Sequence, residues 1–510
     1  MSGSRGAAVV IGSGPNGLSA AITLAQAGRD VTVLEAADVL GGGMQTADLT
    51  LPGFHHDVFS AVHPAGAASP VFASLPLERH GLRWIHPEVC VAHVTGEDQA
   101  AALYRSLDET VAGFDEACPG DGERWRAFAG PYLQHFGAVR QTMLTGFPPV
   151  RGPANLLRTL GLAGLLDFTR LLLMPAQALA GELFDGTGAK ALLYGSAMHG
   201  DVPPTGAGSA IAGTYLNVLG HAVGWPSPEG GSARLASALV GHLHELGGTT
   251  RTSARVERVL VERGKVAGVV VAGGERVPAT LVVADTTPGA LLRLAPGAFP
   301  SRYTSALRRY RMGVGTIKVD WALSEPIPWS APEARRAGTV HVGGTDREVL
   351  QATAPAGDDG LAEKPFMLTG QQSVADPTRA PQGQHTAWAY THGPQDADWA
   401  GETDRQVERM EARIEHFAPG FRDAILGRHV MGPADLEARN ANLVGGDVGG
   451  GSYTLDQLVF RPVPSISPYR TPVRGLYIGS ASTFPGGAVH GVPGRAAARL
   501  ALAESRLPGR

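Results

Sequence analysis

Short apolar runs that end in glycine lie near both ends of this chain. Residues 7–11 are apolar without alternation, which is the pattern of a parallel strand buried on both faces. A helical pattern follows over 17–27, Gly28 is placed to end it, and 30–35 predict the next strand. This β-α-β unit has the length of about thirty residues that a parallel crossover requires. Residues 475–482 repeat the strand-then-glycine pattern, so strands from both ends are expected in one fold.

The pattern between these ends changes twice. Residues 71–223 are mostly helical in pattern, with breaks at proline and glycine, and 229–248 predict a loop that opens a helix. Short β-rich runs over 255–285 predict a three-stranded meander that leads into a buried strand. Strands of a second sheet are predicted at 302–329 and at 384–391, and an amphipathic helix is predicted at 404–418.

A hydrophobic stretch at 155–184 is the one segment that suggests a membrane. Arg158, Asp167 and Arg170 interrupt it and Pro175 would break a continuous span, so a transmembrane helix is rejected. Two interpretations stay open. The segment is either a core or lid helix pair, or an apolar surface patch that lies on a membrane or admits an apolar substrate.

The first glycine loop has the chemistry of a dinucleotide site. Gly12 allows the tight turn from strand to helix, Gly14 lets the backbone approach a pyrophosphate, and Gly17 allows close helix–strand packing. The helix start offers free N–H groups to phosphates. Glu35, at the end of the second strand, is placed to accept hydrogen bonds from ribose hydroxyls and would repel a 2′-phosphate. NADP is therefore disfavoured at this site, and a second cluster at 41–43 suits a longer cofactor.

Composition and charge exclude several classes of protein. The net charge of −4 is made of mixed acidic and basic residues, so no basic stripe points to nucleic acid. Cys90 and Cys118 are far apart and lie outside any CxxC, so neither a disulfide framework nor a zinc site is expected. No histidine pair has metal-ligand spacing, and the GxSxG nucleophile motif is absent. No leader precedes the first strand, which makes the cytoplasm the expected location.

Five segments together resemble the phytoene-desaturase-like flavoproteins, within the FAD-dependent amine oxidase and glutathione-reductase-type-2 group. They are "EAADVLGGGMQT", "GWPSPEGGSARLASAL", "IKVDWALSEPIP", "GGDVGGGSYTLDQLVFRPVP" and "SPYRTPVRGLYIGSASTFPGGAVHGVPGRAAA". The resemblance implies an α/β fold in which a Rossmann-like FAD-binding domain is interleaved with an α+β substrate domain. That second domain would contain a mixed or antiparallel sheet and a helical part. The implied bounds are 1–70, 222–292 and 435–510 for the first domain, and 71–221 and 293–434 for the second, with a helical lid around 155–184.

The resemblance also implies a set of FAD contacts. Val256 would meet the adenine through its backbone, and a final helix that starts near Gly487 would direct its N-terminus at the flavin. The full set is Gly12, Gly14, Pro15, Asn16, Gly17, Glu35, Ala36, Gly42, Gly43, Met44, Gln45, Thr46, Val256, Gly479, Ser480, Gly487, Ala488 and Val489. Two positions depart from many relatives: Gly43 stands where they have arginine, and Ser480 where they have aspartate.

Four residues are candidates for chemistry at the flavin. Lys318 matches a strand lysine that holds a water near flavin N5 in amine-oxidase-like relatives, although a solvent-facing lysine is the alternative. His490 is expected just inside the final helix, where it faces either the substrate or the helix surface. Asp57 and His63 lie in the segment expected to pass the flavin, and His199 is a weaker candidate.

The expected activity is FAD-dependent dehydrogenation of a hydrophobic or polycyclic small molecule. Hydride would pass to the flavin, and oxygen or a quinone-like acceptor would reoxidise it. Because no second strand–GxGxxG–helix unit is present, NAD(P) is not expected as a tight partner. A redox-neutral double-bond isomerase, an amine-oxidase-like C–N oxidation and a non-enzymatic flavin-binding scaffold stay open. Two further questions stay open: whether the protein contacts a membrane peripherally, and whether it is a monomer or a homodimer. No metal is expected.

Overall fold

The computed structural model describes residues 6–353 and 360–506, which form a five-stranded parallel sheet, a seven-stranded mixed sheet, three smaller sheets and the helices that cover them. The strands are β1 Ala8–Ile11, β2 Val31–Leu34, β3 Thr46–Asp48, β4 His55–Asp57, β5 Trp84–Ile85, β6 Val89–Val94, β7 Ala100–Tyr104, β8 Ser227–Pro228, β9 Thr249–Arg251, β10 Val256–Glu262, β11 Lys265–Val271, β12 Arg276–Pro278, β13 Leu281–Ala284, β14 Gly315–Leu323, β15 Ala337–Val342, β16 Met367–Gly370, β17 His385–Gly393, β18 Ile425–Met431 and β19 Leu476–Ile478.

Helices connect these strands and cover both sheets. They are α1 Pro15–Gln26, α2 Pro64–Ala67, α3 Leu107–Ala117, α4 Asp121–Gln134, α5 Phe136–Met143, α6 Arg151–Leu171, α7 Ala176–Leu183, α8 Thr187–Ala197, α9 Ser209–Val223, α10 Ala233–Glu245, α11 Pro288–Leu294, α12 Ser301–Arg308, α13 Pro332–Arg336, α14 Asp346–Ala352, α15 Trp399–Phe417, α16 Pro433–Arg439, α17 Leu455–Leu458 and α18 Val492–Glu504. Short 3₁₀ helices lie at Phe72–Ser74, Leu77–His80, Gln372–Val374, Pro377–Arg379, Arg422–Ala424 and Val444–Gly446.

The parallel sheet joins strands from distant parts of the chain, in the order β19-β13-β1-β2-β9. Val9 pairs with Val282 on one side and Thr32 on the other, so β1 lies near the sheet centre and is fully buried, as its apolar pattern predicts. The predicted meander is confirmed: β10, β11 and β12 pair antiparallel and lead into β13. The β-α-β unit formed by β1, α1 and β2 is likewise confirmed.

The second sheet has the order β18-β14-β17-β16-β15-β6-β7 and corrects one prediction. The prediction that residues 71–223 are mostly helical is confirmed, since α3 to α9 lie there, although the range also contains β5, β6 and β7, which were not predicted. Residues 302–329, predicted as strand, are not strand throughout. Residues 301–308 form the amphipathic helix α12. Of residues 302–329, only those of β14 belong to the sheet.

The hydrophobic stretch forms α6 and α7, with a break inside α6 at Gly161, whose φ is +71°. Leu156 and Phe168 face the interior, whereas Leu162 and Leu166 are 65% and 60% exposed. Across the described ranges, the chain contains no helix with the length and apolarity needed to cross a membrane. The stretch is therefore a helix pair with an apolar outer face.

Candidate functional site

The loop between β1 and α1 is built so tightly that no side chain fits at Gly14 or Gly17. A Cβ on Gly14 would lie 2.8 Å from Oδ2 of Asp285, and one on Gly17 would lie 2.1 Å from the carbonyl oxygen of Gly12. Gly12 also has a φ of +95°, a left-handed conformation that favours glycine. The three glycines thus bring backbone N–H groups and the start of α1 to an uncovered surface, as a phosphate site requires.

The second glycine cluster rests directly on the first. A Cβ on Gly42 would lie 2.7 Å from the Cα of Gly14, so the two loops touch backbone to backbone. Gly43 differs from its neighbour, because a Cβ there would meet nothing within 4 Å. The position where many relatives have arginine is therefore open space in this chain.

Glu35 is held at the end of β2 by a residue that the sequence analysis missed. Its carboxylate accepts hydrogen bonds from the N–H and the hydroxyl of Ser13, at 2.8 and 2.6 Å, and from the N–H of Ala37 at 3.0 Å. The Ser13 hydroxyl accepts in turn from the N–H of Gly41 at 3.0 Å. Ser13 thus ties the first glycine loop to the second and to Glu35. Its position between two loop glycines is the signal that would have found it.

Asp285 is a second residue that sequence reasoning missed. It follows β13, is buried, and accepts a hydrogen bond from the N–H of Gly17 at 2.8 Å. Burial raises the pKa of its carboxyl to about 7, although the Gly17 N–H opposes that shift, and nearby Glu35 adds to it. A carboxyl with this pKa lies beneath the loop at which a diphosphate would bind, and Asp285 also lines the cavity described below.

The final helix begins later than predicted. α18 starts at Val492 and not near Gly487, because Gly491 adopts a left-handed conformation with a φ of +70° before the helix. His490 therefore lies ahead of the helix and not inside it, and its Nδ1 accepts the N–H of Val492 at 3.2 Å. Ala488, with a φ of +86°, is a strained non-glycine residue in the loop that precedes it.

One cavity of about 1100 Å³ joins these loops to the second sheet. Most of the predicted cofactor contacts line it: Gly12, Gly14, Pro15, Asn16, Glu35, Ala36, Gly42, Gly43, Gln45, Val256, Ser480, Gly487, Ala488 and Val489. The other four, Gly17, Met44, Thr46 and Gly479, lie behind this surface. Met44 is fully buried in the core, and the hydroxyl of Thr46 donates to Asp57 at 2.8 Å.

The part of the cavity away from the glycine loops is mainly apolar. α5, α6 and α9, with the residues that directly follow α5 and α6, form its walls through Met143, Leu144, Phe168, Leu172, Ile211, Tyr215, Leu216 and Leu219. Its floor is one face of the second sheet, which contributes Thr316 and Lys318 from β14, Trp388 and Tyr390 from β17, and Thr339 from β15. An apolar chamber is therefore continuous with the dinucleotide site.

Lys318 lies on the cavity floor and is 4% exposed, so the alternative of a solvent-facing lysine is wrong. Its Nζ lies 2.5 Å from both carboxylate oxygens of Asp320, which is fully buried. His56 Nδ1 lies 3.6 Å from the same carboxylate. Burial lowers the pKa of His56 to about 3, with the charge of Lys318 adding to the shift, so this ring is neutral at physiological pH. Asp320, two residues further along β14, thus holds Lys318 in place.

The remaining candidates have different surroundings. Asp57 is buried against Arg379, at 2.7 Å, and is not among the residues that line the cavity. His63 lines the cavity, with its Nε2 3.1 Å from the Ser60 hydroxyl. Burial lowers the pKa of His63 and of His490 to about 4, so both rings are uncharged at neutral pH. The structure therefore brings Lys318, His63 and His490 to the cavity and leaves Asp57 in an ion pair outside it.

Histidines distant in sequence do come together at one place. His80, His242 and Glu245 have donor atoms within 4.8 Å of one another, although no sequence spacing suggested it. Both rings already approach the Glu245 carboxylate, at 3.1 and 3.3 Å, and Arg79 pairs with it as well. The prediction that metal plays no part stays a prediction.

Comparison with known proteins identifies the class of molecule. The sequence pattern of the flavin containing amine oxidoreductases matches residues 16–501. The chain belongs to this family. Its cofactor is accordingly FAD, and the protein is an FAD-dependent oxidoreductase.

Individual relatives agree with that assignment. This chain is 29% identical to pyridine nucleotide-disulfide oxidoreductase domain-containing protein 2 of Rattus norvegicus, over 97% of this chain and 92% of the relative. It is 26% identical to one component of the limonene dehydrogenase of Castellaniella defragrans, over 94% and 91%. An oxidoreductase from Methanosarcina mazei has a similar structure, with a TM-score of 0.66 at 16% identity, over 98% of this chain and 100% of that one. The predicted fold class and the resemblance to phytoene-desaturase-like flavoproteins are confirmed, since phytoene desaturases are also relatives.

Proposed function

We propose that this oxidoreductase dehydrogenates a neutral, hydrophobic or polycyclic small molecule by forming a carbon–carbon double bond. The observation that carries the proposal is the single cavity in which an apolar chamber meets the dinucleotide loops. Bound FAD supplies the hydride acceptor in such reactions. The relatives named limonene dehydrogenase and phytoene desaturase act, by those names, on apolar molecules, which supports the same substrate class here.

The charges in the cavity favour this chemistry over the oxidation of a cationic amine. Among the described residues, the carboxylates that line the cavity are Glu35, Glu257 and Asp285, and all three belong to the dinucleotide part. The apolar chamber instead has Lys318 on its floor, with its Nζ already paired with the Asp320 carboxylate. A protonated amine would find no carboxylate among the described residues that line this chamber, so a neutral substrate is preferred.

We assign the residues that hold FAD from the same geometry. Gly12, Gly14 and the start of α1 would bind the diphosphate, and Glu35 would bind the ribose. The loop at 486–490 would line the flavin end, where Ala488 and Val489 reach the cavity. Walls from α5, α6 and α9 exclude water from the substrate, and Lys318, fixed by Asp320, places a hydrogen-bond donor at the cavity floor.

A substrate panel tests the reaction class. FAD-loaded protein is mixed anaerobically with cyclic alkenes, with saturated polycyclic compounds and with amines of matched carbon skeleton, and loss of the flavin absorbance is followed. We expect reduction by the neutral compounds and not by the amines. Reduction by the amines alone would establish C–N oxidation, and conversion of an alkene to its isomer without lasting flavin reduction would establish the isomerase alternative.

Lys318 provides a residue-level test of the same proposal. Lys318→Met removes the cavity-floor donor, so we expect slower flavin reduction, by about tenfold or more, with FAD content unchanged. Lys265→Met, at an exposed position on β11, is the matched control and should leave reduction unchanged. Equal rates in Lys318→Met and the wild type, at equal FAD content, would remove Lys318 from the site.

Peripheral membrane contact is a further part of the proposal. Phe168 and Leu172 line the cavity at the end of α6, while Leu162, Leu166 and the nearby Leu173 are at least 60% exposed. An apolar face of this kind beside a substrate chamber suits an enzyme that takes its substrate from a lipid surface.

As electron acceptor we propose oxygen or a quinone-like molecule, because the described residues contain a single strand–glycine–helix dinucleotide loop, the one at β1.

A further inference from the structure

A buried histidine pair closes one side of the apolar chamber. His199 lies between α8 and α9 and lines the cavity, and its Nε2 is 3.1 Å from Nε2 of His341 on β15. His341 is fully buried, and the indole of Trp225 packs edge-on against His199 with ring centres 5.0 Å apart. This pair belongs neither to the dinucleotide loops nor to the Lys318 ion pair.

The sheet register fixes the distance between this pair and Lys318. Lys318 pairs with Tyr390, Tyr390 with Leu368, and Leu368 with His341, so all four lie in one row across β14, β17, β16 and β15. Directly paired residues share a face of the sheet. Three interstrand steps of about 4.8 Å place the backbone of His341 about 14 Å from that of Lys318.

The hydrogen-bond pattern determines which atom His199 offers to the chamber. Burial lowers the pKa of His199 to about 3, with His392 adding to the shift, and lowers the pKa of His341 well below its usual value. Both rings are therefore neutral, and their two Nε2 atoms share one proton. Nδ1 of His341 is buried without a partner, and a Cβ on Gly195 would lie 2.2 Å from it.

A buried N–H without an acceptor is rarer in proteins than a buried acceptor without a donor. The proton of His341 therefore lies on Nε2 and not on the enclosed Nδ1, and His341 donates to Nε2 of His199. His199 must then carry its own proton on Nδ1. Within the described residues no hydrogen bond involves that Nδ1, and it is not among the buried atoms that lack a partner. It is a free donor at the chamber wall.

We propose that His199, held in this tautomer by His341, is a specificity residue that donates a hydrogen bond to a carbonyl or hydroxyl oxygen of the substrate. The substrate is then a neutral, apolar molecule with an oxygen at the end that lies beside His199. This inference rests on the proposed function, because it assumes that the apolar chamber receives the substrate.

Matched ligands test the proposal in FAD-loaded protein. Dodecane and 2-dodecanone share one carbon skeleton and differ by a carbonyl near one end, and their binding is followed by flavin absorbance and by tryptophan fluorescence. The wild type should bind the ketone roughly three- to tenfold more tightly, the worth of one hydrogen bond. His199→Phe should lose that preference and keep its affinity for dodecane. His199→Asn, whose amide N–H can replace Nδ1, should restore part of the preference, and His341→Phe should abolish it.

The outcomes separate the two proposals. Equal affinity of the wild type for both ligands, or an equal loss of both in His199→Phe, would overturn the role of His199 and leave the apolar chamber standing. Failure of the wild type to bind either ligand would overturn the proposed function and this inference with it.

Discussion

At the residue scale, Gly42 and Gly43 are neighbours in sequence with opposite surroundings. A side chain at 42 would collide with the Cα of Gly14, whereas one at 43 would enter open space on the cavity wall. The motif alone shows two equivalent glycines, because contacts between loops distant in sequence are invisible in it. Only the structure tells which of the two can be replaced.

Gly43→Arg should therefore fold normally and bind FAD more tightly, by a few-fold at low salt, since a cation is added beside the diphosphate loops. Gly42→Arg is the matched control and should lose FAD. Both are measured as FAD dissociation constants by fluorescence. A loss of FAD affinity in Gly43→Arg comparable to that in Gly42→Arg would show that position 43 is not open.

Asp285 gives a pH-dependent prediction. Its pKa is raised in the fold to about 7 from an ordinary 3.8, so the folded state binds more protons than the unfolded one between about pH 4 and 7. Its contribution to stability is fully present at low pH and is lost as pH rises through 7, at up to about 1.4 kcal/mol per pH unit. Asp285→Asn should remove this slope.

The measurement is the free energy of urea unfolding at pH 5, 6 and 7.5, with and without added FAD. The stability of Asp285→Asn relative to the wild type should rise from pH 5 to about pH 7, by up to about 1.4 kcal/mol per pH unit, and should level off above that. Parallel pH dependence in the two proteins would mean that Asp285 does not titrate as inferred.

At the element scale, α1 and α18 cross so closely that backbone meets backbone. A Cβ on Gly494 would lie 1.8 Å from the carbonyl oxygen of Asn16. The sequence predicted both helices, yet it placed the start of α18 several residues early. The error arose because the sequence shows a glycine at both 487 and 491. The helix begins after Gly491, and only the left-handed backbone conformation of Gly491 in the structure reveals this.

Gly494→Ala should destabilise the protein by about 1–3 kcal/mol, because the two helices must move apart. Gly181→Ala, inside α7 where a Cβ meets nothing within 4 Å, is the control and should be neutral or stabilising by up to about 1 kcal/mol. Urea unfolding of both variants measures the difference. An equal effect of the two substitutions would contradict the close crossing.

At the scale of the whole molecule, the sequence predicted the dinucleotide loop, the meander and the second sheet in outline. Local periodicity and glycine spacing carry those features. It did not predict the buried strand β6, nor Ser13, Asp285 and the His199–His341 pair, since each depends on contacts between segments distant in sequence. Sequence motifs therefore predict the residues at the cofactor end of the cavity, whereas the residues at the substrate end are known only from the packing in the structure.

The apolar face of α6 yields a prediction at this scale. Leu162→Glu with Leu166→Glu should reduce co-sedimentation with anionic phospholipid vesicles several-fold, because charge is placed on the proposed membrane face. Leu426→Glu with Ile466→Glu, at exposed apolar positions elsewhere, is the matched control. Equal vesicle binding by both double variants and the wild type would reject the membrane contact.

The parallel sheet also has a consequence for synthesis. β19 pairs with β13, and α18 packs on α1, so the last part of the chain completes a sheet begun by the first. Until residues 476–504 have left the ribosome, β13 remains an open edge, and the loop at 486–490 is missing from the cavity. A chain made only as far as β18 therefore has an unfinished nucleotide pocket, so we expect FAD to be enclosed only after residues 476–504 have been made.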